Sequence, residues 1–178
     1  METDKHNILI RGDGFYLRAL RESDATKTYT DWLDNDTVTR YLEARSMTIA
    51  QLVDYINRQN NDPDSLFLGV FLTNDTHIGN VKLQPINRDN GSCVFGILIG
   101  DVSVWGQGYG TAVTQRIVEY AFHELGLEKI ELRVMKNNRA AMHMYRKLGF
   151  SIESDDSARQ HSEISHEHFW MELHRQVA

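Results

Sequence analysis

Three glycines at alternate positions, Gly106, Gly108 and Gly110, lie in the stretch Trp105-Gly106-Gln107-Gly108-Tyr109-Gly110-Thr111-Ala112. A run that reads as a buried strand, Val94 to Gly100, leads into it, and an amphipathic helix, Thr111 to Leu125, leads out. Glycine lets a backbone turn sharply and approach a ligand where a Cβ would clash. A turn that opens a helix also leaves several N–H groups without intrahelical partners, aimed outward at the positive end of the helix dipole. Those are the parts of a phosphate or pyrophosphate site. A glycine-rich turn with no ligand is the plain alternative.

Two familiar nucleotide loops do not fit. A phosphate loop of the NTPase kind closes on Lys followed by Ser or Thr, whereas Gly110 is followed by Thr111 and Ala112. A dinucleotide fingerprint needs glycine at its first, third and sixth positions, and the sixth residue counted from Gly106 is Thr111. The loop also falls past the middle of the chain, where a dinucleotide unit would begin with it.

A second group of residues narrows the chemistry. Asn137-Asn138-Arg139-Ala140-Ala141-Met142-His143-Met144-Tyr145-Arg146-Lys147-Leu148-Gly149-Phe150 follows an alternating strand, Lys129 to Val134. An Asn supplies an N-cap, Ala141, Met144, Tyr145 and Leu148 share one helical face, and Gly149 stands where a helix ends in the left-handed conformation. With both segments on the page, the chain resembles the GNAT family of N-acetyltransferases. That family's pyrophosphate loop matches Trp105 to Thr111, and its Asn-plus-helix segment, ending Tyr-x-x-x-Gly-Phe, matches Asn138 to Phe150. The two come in the family's order, with one helix and one strand between them. The resemblance covers about residues 13 to 174. In wording it is nearest the branch that holds ribosomal-protein N-terminal acetyltransferases and nucleotide-amino-sugar acetyltransferases.

The resemblance implies an α+β fold in a single domain over residues 1–178. Its sheet is mixed and mostly antiparallel, with a splayed central strand pair flanked by helices. It implies acetyl-CoA as acetyl donor, with no metal. The amides of Gln107, Gly108, Tyr109, Gly110 and Thr111 then take the phosphates, the strand end Leu98-Ile99-Gly100 pairs with the pantetheine, and Asn138 adds a contact. Tyr145 matches the family's catalytic tyrosine. Acetylating an amine by direct attack needs a neutral nitrogen, a stabilised oxyanion and a proton for the departing thiolate. A phenol, with a reference pKa of about 10, is protonated near neutral pH and can give that proton. A core tyrosine packed with Met144 and Leu148 is the alternative for Tyr145, and a plain N-cap the alternative for Asn138. Two departures stand out. The family's loop usually begins with Gln or Arg, where this chain has Trp105. Some members carry a glutamate base on the strand that here reads Glu131-Leu132-Arg133, but the matching position is Arg133. Glu43, Asp101, His143 or a chain of waters remain as bases.

The segment Trp32 to Leu42 resembles the stretch over the acceptor site in the amino-sugar branch. Trp32, Arg40, Tyr41 and Glu43 are therefore the expected substrate contacts, aromatics and cations suited to a sugar or a nucleotide phosphate. A surface helix hairpin is the alternative. The expected acceptor is a small-molecule amine, first a nucleotide-linked amino sugar, with a protein N-terminus or a small polyamine as runners-up. A non-catalytic acyl-CoA-binding module is the reading from another class.

The elements that must position these groups follow from periodicity and turn chemistry. Phe15 to Leu20 alternates as a first strand. Ser23 or Asp24 caps a helix to about Leu33, and Thr48 caps another with Ile49, Leu52, Val53 and Ile56 on its apolar face. Leu66 to Leu72, Ile78 to Leu83 and Ser92 to Gly100 read as three antiparallel strands, turned at Asn74-Asp75 and Asn90-Gly91. After the loop helix come the strand Lys129 to Val134, the Tyr145 helix, a short strand Phe150 to Glu153, a polar stretch, and a closing strand His166 to Leu173.

Composition sets outer bounds. The sequence has 178 residues, 41% of them hydrophobic, and suits one domain. A net charge of −6 argues against general nucleic-acid binding. No apolar run approaches the ~20 residues that span a bilayer, and the polar N-terminus lacks a signal peptide's core. The single cysteine, Cys93, falls in an expected strand and reads as a buried thiol. His161, His166 and His168, spread over a polar tail and an alternating strand, read as solvated groups rather than metal ligands. The sequence thus reads as cytoplasmic, with no membrane partner; a homodimer is compatible with it.

Overall fold

One sheet carries every strand expected from the sequence and one more. The computed structural model describes residues 5–42, 46–155 and 167–176. The strands are β1 (Leu9–Arg11), β2 (Phe15–Ala19), β3 (Leu66–Leu72), β4 (His77–Asn87), β5 (Ser92–Ile99), β6 (Lys129–Met135), β7 (Ser151–Asp155) and β8 (His168–His174). They lie side by side in the order β1-β2-β3-β4-β5-β6-β8-β7. Every neighbouring pair is antiparallel except β5 and β6. The additional strand, β1, buries only Ile10 and is too short to show alternation in sequence.

The parallel pair sets up the site. Ser92 to Phe95 pair in register with Lys129 to Leu132, and beyond that point the two strands have no mutual partners. Each keeps its outer neighbour, β5 pairing with β4 as far as Ile99 and β6 with β8 as far as Met135. The sheet therefore opens along one seam; elsewhere neighbouring strands stay paired, with local register shifts at Val70/Phe71, Leu83/Ile86 and Ile152/Ser154. This is the mixed, mostly antiparallel α+β architecture, with a splayed central pair, that the resemblance implies.

Helices cover both faces. On one side lie α1 (Lys27–Asp34), the short α2 (Asp36–Thr39) and α3 (Ile49–Asn61). Their core joins Leu20, Tyr29, Trp32, Leu52, Ile56 and Phe71. On the other side α4 (Tyr109–His123) buries Val113, Ile117 and Ala121, and α5 (Arg139–Lys147) buries Tyr145. Burial from both sides explains why β3 is apolar almost without interruption from Leu66 to Phe71. Among the described residues, no helix is long and apolar enough to cross a membrane.

Local chemistry fixes the helix starts. Thr48 and Gln51 form a reciprocal capping box at α3, a motif whose cap contributes roughly 1 kcal/mol. Ile49, expected on the apolar face, is 47% exposed, because it is the first helical residue and points away from the sheet. α1 begins at Lys27 under a Thr26 cap, not at Ser23 or Asp24. The Asp24 carboxylate is committed elsewhere: it takes both Arg18 guanidinium nitrogens at 2.7 and 2.9 Å and the Arg21 amide at 2.7 Å. Cys93 is buried, and burial pushes its thiol up to about 12, which leaves it inert.

Candidate active site

The glycine loop joins the end of β5 to α4. A 3-10 turn, Val102–Val104, follows β5 and is capped by Asp101, whose carboxylate accepts from the Ser103 amide at 2.9 Å. Gly106 and Gly108 then take φ of 76° and 89°, the left-handed region that favours glycine. α4 starts two residues earlier than periodicity suggests, so Gly110 and Thr111 stand in its first turn. The Ala112 amide donates to the Gly108 carbonyl at 3.0 Å. The preceding amides of Tyr109, Gly110 and Thr111 lie in the first turn, with no turn below to bind. Gln107 differs from expectation. Its amide donates to the Val104 carbonyl at 3.3 Å and its side chain to the Ser103 carbonyl at 2.8 Å, so it closes the turn.

A cleft of about 670 Å³ runs along the open seam, from this loop to α5. Of the expected cofactor contacts, Leu98, Ile99, Gly108, Gly110, Thr111 and Asn138 line it, as does Tyr145. Gly100, Gln107 and Tyr109 do not. The Gly100 amide donates to the Ile78 carbonyl on β4 at 2.9 Å. Strand geometry alternates, so the backbone of Leu98 also faces β4, and that of Ile97 and Ile99 faces the seam. The polar edge available to a ligand is therefore Ile97 and Ile99, shifted by one residue from part of the expected set. The Ile99 carbonyl is already taken by the Trp105 indole N–H, at 2.9 Å. Gly100 is glycine for another reason. A Cβ there would lie 2.1 Å from Trp32 Cδ2.

Trp32, expected against the substrate, is instead in the core. It is 7% exposed, packed against Tyr29 and His77, and lines neither cavity of the site. Burial among these rings lowers the His77 pKa to about 4. Arg40 and Tyr41 do line the cleft. Glu43 lies outside the described residues, as do His161 and His166.

Tyr145 packs its ring edge-on to Phe95 and Phe150, at centroid distances of 6.4 and 5.7 Å. Burial pushes its phenol above the usual value, so it stays protonated. Among the described residues nothing hydrogen bonds its hydroxyl. Asn138 caps α5, its side chain accepting from the Ala141 amide at 3.2 Å. Two expected bases fail on position: Asp101 caps the turn, and His143 is exposed on the outer face of α5, neither lining the cleft. Arg133 does line it.

A second cavity, of about 440 Å³, opens on the α1–α3 side of β5. It shares Leu42, Gly96, Ile97 and Leu98 with the first. Tyr29, Tyr55, Asn80 and Lys82 supply its polar groups. None was singled out from the sequence. The available signal was polar Asn80 and Lys82 two apart in a strand covered on both sides, which puts both on one face. Among the described residues lining the two cavities, Arg40, Lys82 and Arg133 are cationic and no carboxylate is present.

Two cavities meeting on one side of a split strand pair, with a glycine loop at one end, suit a thioester met by an acceptor. Comparison with known proteins agrees. The model of the acetyltransferase (GNAT) domain matches residues 15–151. The chain belongs to the GNAT acetyltransferase family. It is similar to the spermidine N(1)-acetyltransferase of Escherichia coli (strain K12), 33% identical over 141 residues, covering 78% of this chain and 74% of that one. It is also similar to a probable N-acetyltransferase, YjcK, of Bacillus subtilis (strain 168), 30% identical over 157 residues, with 82% and 84% covered. A crystal structure of the Vibrio cholerae spermidine N-acetyltransferase, in complex with CoA and spermine, superposes with a TM-score of 0.79. It is 25% identical and covers 91% of this chain and 96% of its own. This GNAT enzyme therefore transfers an acetyl group to an amine. The branch is a correction: the relatives named for a substrate are spermidine enzymes, not ribosomal-protein or amino-sugar enzymes.

Proposed function

We propose that the enzyme moves the acetyl group of acetyl-CoA directly onto a small primary amine held in the second cavity. The observation that carries this is the meeting of the two cavities at Gly96, Ile97 and Leu98, where the sheet has split. In this reading the first-turn amides of α4 hold the pyrophosphate, the Ile97 and Ile99 edge holds the pantetheine, and Asn138 adds a polar contact. The amine nitrogen attacks the thioester carbon, forming C–N as C–S breaks. A seam-facing N–H on β5 steadies the oxyanion. Tyr145 gives its proton to the departing sulfur, and the amine's proton leaves through water, since no carboxylate among the described lining residues stands ready to take it.

The relatives' names support a polyamine as the first acceptor to assay, ahead of the amino sugar, and a small diffusible amine ahead of a protein. Among the described residues no helix is long and apolar enough to cross a membrane, and the one cysteine is a buried free thiol, as suits a cytoplasmic enzyme. The test is thiol release from acetyl-CoA over a panel of amines, with mass spectrometry of the products. No thiol release with any amine would favour a binding module over a transferase.

A further inference from the structure

The second cavity has a charge of its own. Lys82 on β4 is half-buried and donates to the Tyr55 hydroxyl at 3.0 Å. Among the described residues no carboxylate lies within ion-pair distance of it. A cation in a partly dry pocket is ordinarily matched by an anion. Among the described residues that match is missing; Lys82 has the Tyr55 hydroxyl and ring, 5.7 Å to the centroid, beside it, and the nearby hydroxyls can still donate. Asn80, 7% exposed, donates to the Tyr29 hydroxyl at 2.8 Å, so the Tyr29 O–H keeps its own hydrogen for another acceptor. The Tyr55 hydroxyl accepts from Lys82 and likewise keeps its hydrogen. Burial holds the Tyr29 phenol above its usual pKa, which keeps that hydrogen in place.

The register aims these donors at the reacting centre. Lys82 stands opposite Gly96 of β5, and Asn80 opposite Leu98. Gly96 has no side chain, and a Cβ there would meet nothing within 4 Å, so the space on β5 opposite Lys82 is open. Two residues along a strand span about 6.8 Å. An acceptor whose amine lies at Leu98 would thus bring a group some 7 Å away to Lys82.

We infer that the acceptor is a compact amine that also carries an anionic group, a carboxylate or a phosphate, bound by Lys82 with the hydroxyls of Tyr29 and Tyr55. This rests on the reading of the chain as an amine acetyltransferase and names the acceptor class. On this inference the acceptor departs from the polyamine that the relatives' names suggest, and the experiment sets the two against each other. A polycation entering this cavity would set its second ammonium against Lys82, and the described lining offers no carboxylate to receive it.

The experiment compares acceptors matched in length, with spermidine as a longer polycation. 4-Aminobutyrate and 2-aminoethyl phosphate carry an anion beside the amine, butylamine has no second charged group, and 1,4-diaminobutane and spermidine carry further ammonium groups. Wild-type enzyme should favour an anionic amine over butylamine by about tenfold or more in kcat/KM, the size expected of a charge-assisted contact. Whichever of the two anionic probes is better identifies the anion. Lys82→Met should lower the ratio of kcat/KM for the anionic acceptor to that for butylamine by about tenfold, and Lys82→Glu should turn preference toward 1,4-diaminobutane. Melting temperatures of both variants, and of Lys82→Gln, control for folding. Wild-type preference for spermidine or the diamine, or a ratio unmoved in all three variants, overturns the inference and leaves the transferase reading standing. If no amine is acetylated, calorimetric titration of the CoA-loaded protein with the anionic probes decides separately. Lys82-dependent binding keeps the anion site while the transferase reading falls, and no binding removes both.

Discussion

The Trp105 indole N–H donates to the Ile99 carbonyl at 2.9 Å, so the residue that opens the glycine loop is anchored to the last residue of β5. The bond ties the glycine-loop end of the cleft to the strand that borders its seam. It also explains how a loop beginning with Trp, rather than the Gln or Arg usual at that position, keeps its shape: the side chain grips backbone, and in the proposed reading anion binding is left to the amides. Trp105 remains 43% exposed, so little of the core depends on it. Trp105→Phe should therefore leave the melting temperature nearly unchanged. It should weaken acetyl-CoA binding by about two- to tenfold, the range of one net hydrogen bond. Calorimetry reads both quantities. Unchanged affinity would mean that the turn and glycines alone hold the loop.

Two glycines of that loop should respond differently to substitution. Gly108 has φ of 89°, where an L side chain is strained whatever the space around it. Gly110 is an ordinary helical residue, and a Cβ there would lie 3.8 Å from Met144 Sδ across the cleft. Gly108→Val should lose both stability, by roughly 1–2 kcal/mol, and cofactor affinity. Gly110→Val should lose affinity while the melting temperature holds. If the two variants behave alike, the helix start is not the anion site.

The contrast between Gly108 and Trp32 shows what was legible in the sequence. Gly108 sits in a local motif, where spacing and turn chemistry alone predict a left-handed glycine at a helix start, which the structure has. So does Tyr145, which a single helix carries to the seam. The resemblance of its neighbours to an acceptor segment makes Trp32 an expected substrate contact. Yet its position depends on Gly100, a residue far along the chain that leaves room for the indole. Asn80 and Lys82 went unnoticed for the same reason: only the pairing of β4 with β5 brings them to Gly96 and Leu98. Local patterns point to residues that line the first cleft, and long-range register sets those that line the second.

Acid stability should depend on one ion pair. Burial alone would push the Asp24 carboxyl up, but Arg18, through hydrogen bonds and charge, and the Arg21 amide outweigh it and hold it below the usual carboxylate range. A folded pKa below the unfolded one means stability that is full above about pH 4, the unfolded value. It is lost as pH falls through the folded value. Asp24→Asn should cost about 1–3 kcal/mol at neutral pH, since the Arg18 cation loses its partner. It should also flatten the fall in stability below about pH 4. Urea unfolding at a series of pH values measures this. Parallel wild-type and variant curves would assign the acid sensitivity to other carboxylates.

Tyr145→Phe isolates the proton donor. Phenylalanine keeps the ring against Phe95 and Phe150, and among the described residues the hydroxyl has no protein partner to lose. Stability and acetyl-CoA affinity should hold. General acid catalysis commonly contributes ~10²–10⁴-fold, so the single-turnover rate should fall by that order if sulfur departure limits it. Burial also raises the phenol's pKa, so wild-type activity should show no loss from Tyr145 ionisation as pH rises toward 10, the usual tyrosine value. A single-turnover rate within about threefold of wild type, under ~0.7 kcal/mol of barrier, would make Tyr145 a wall of the cleft. The thiolate would then take its proton from water.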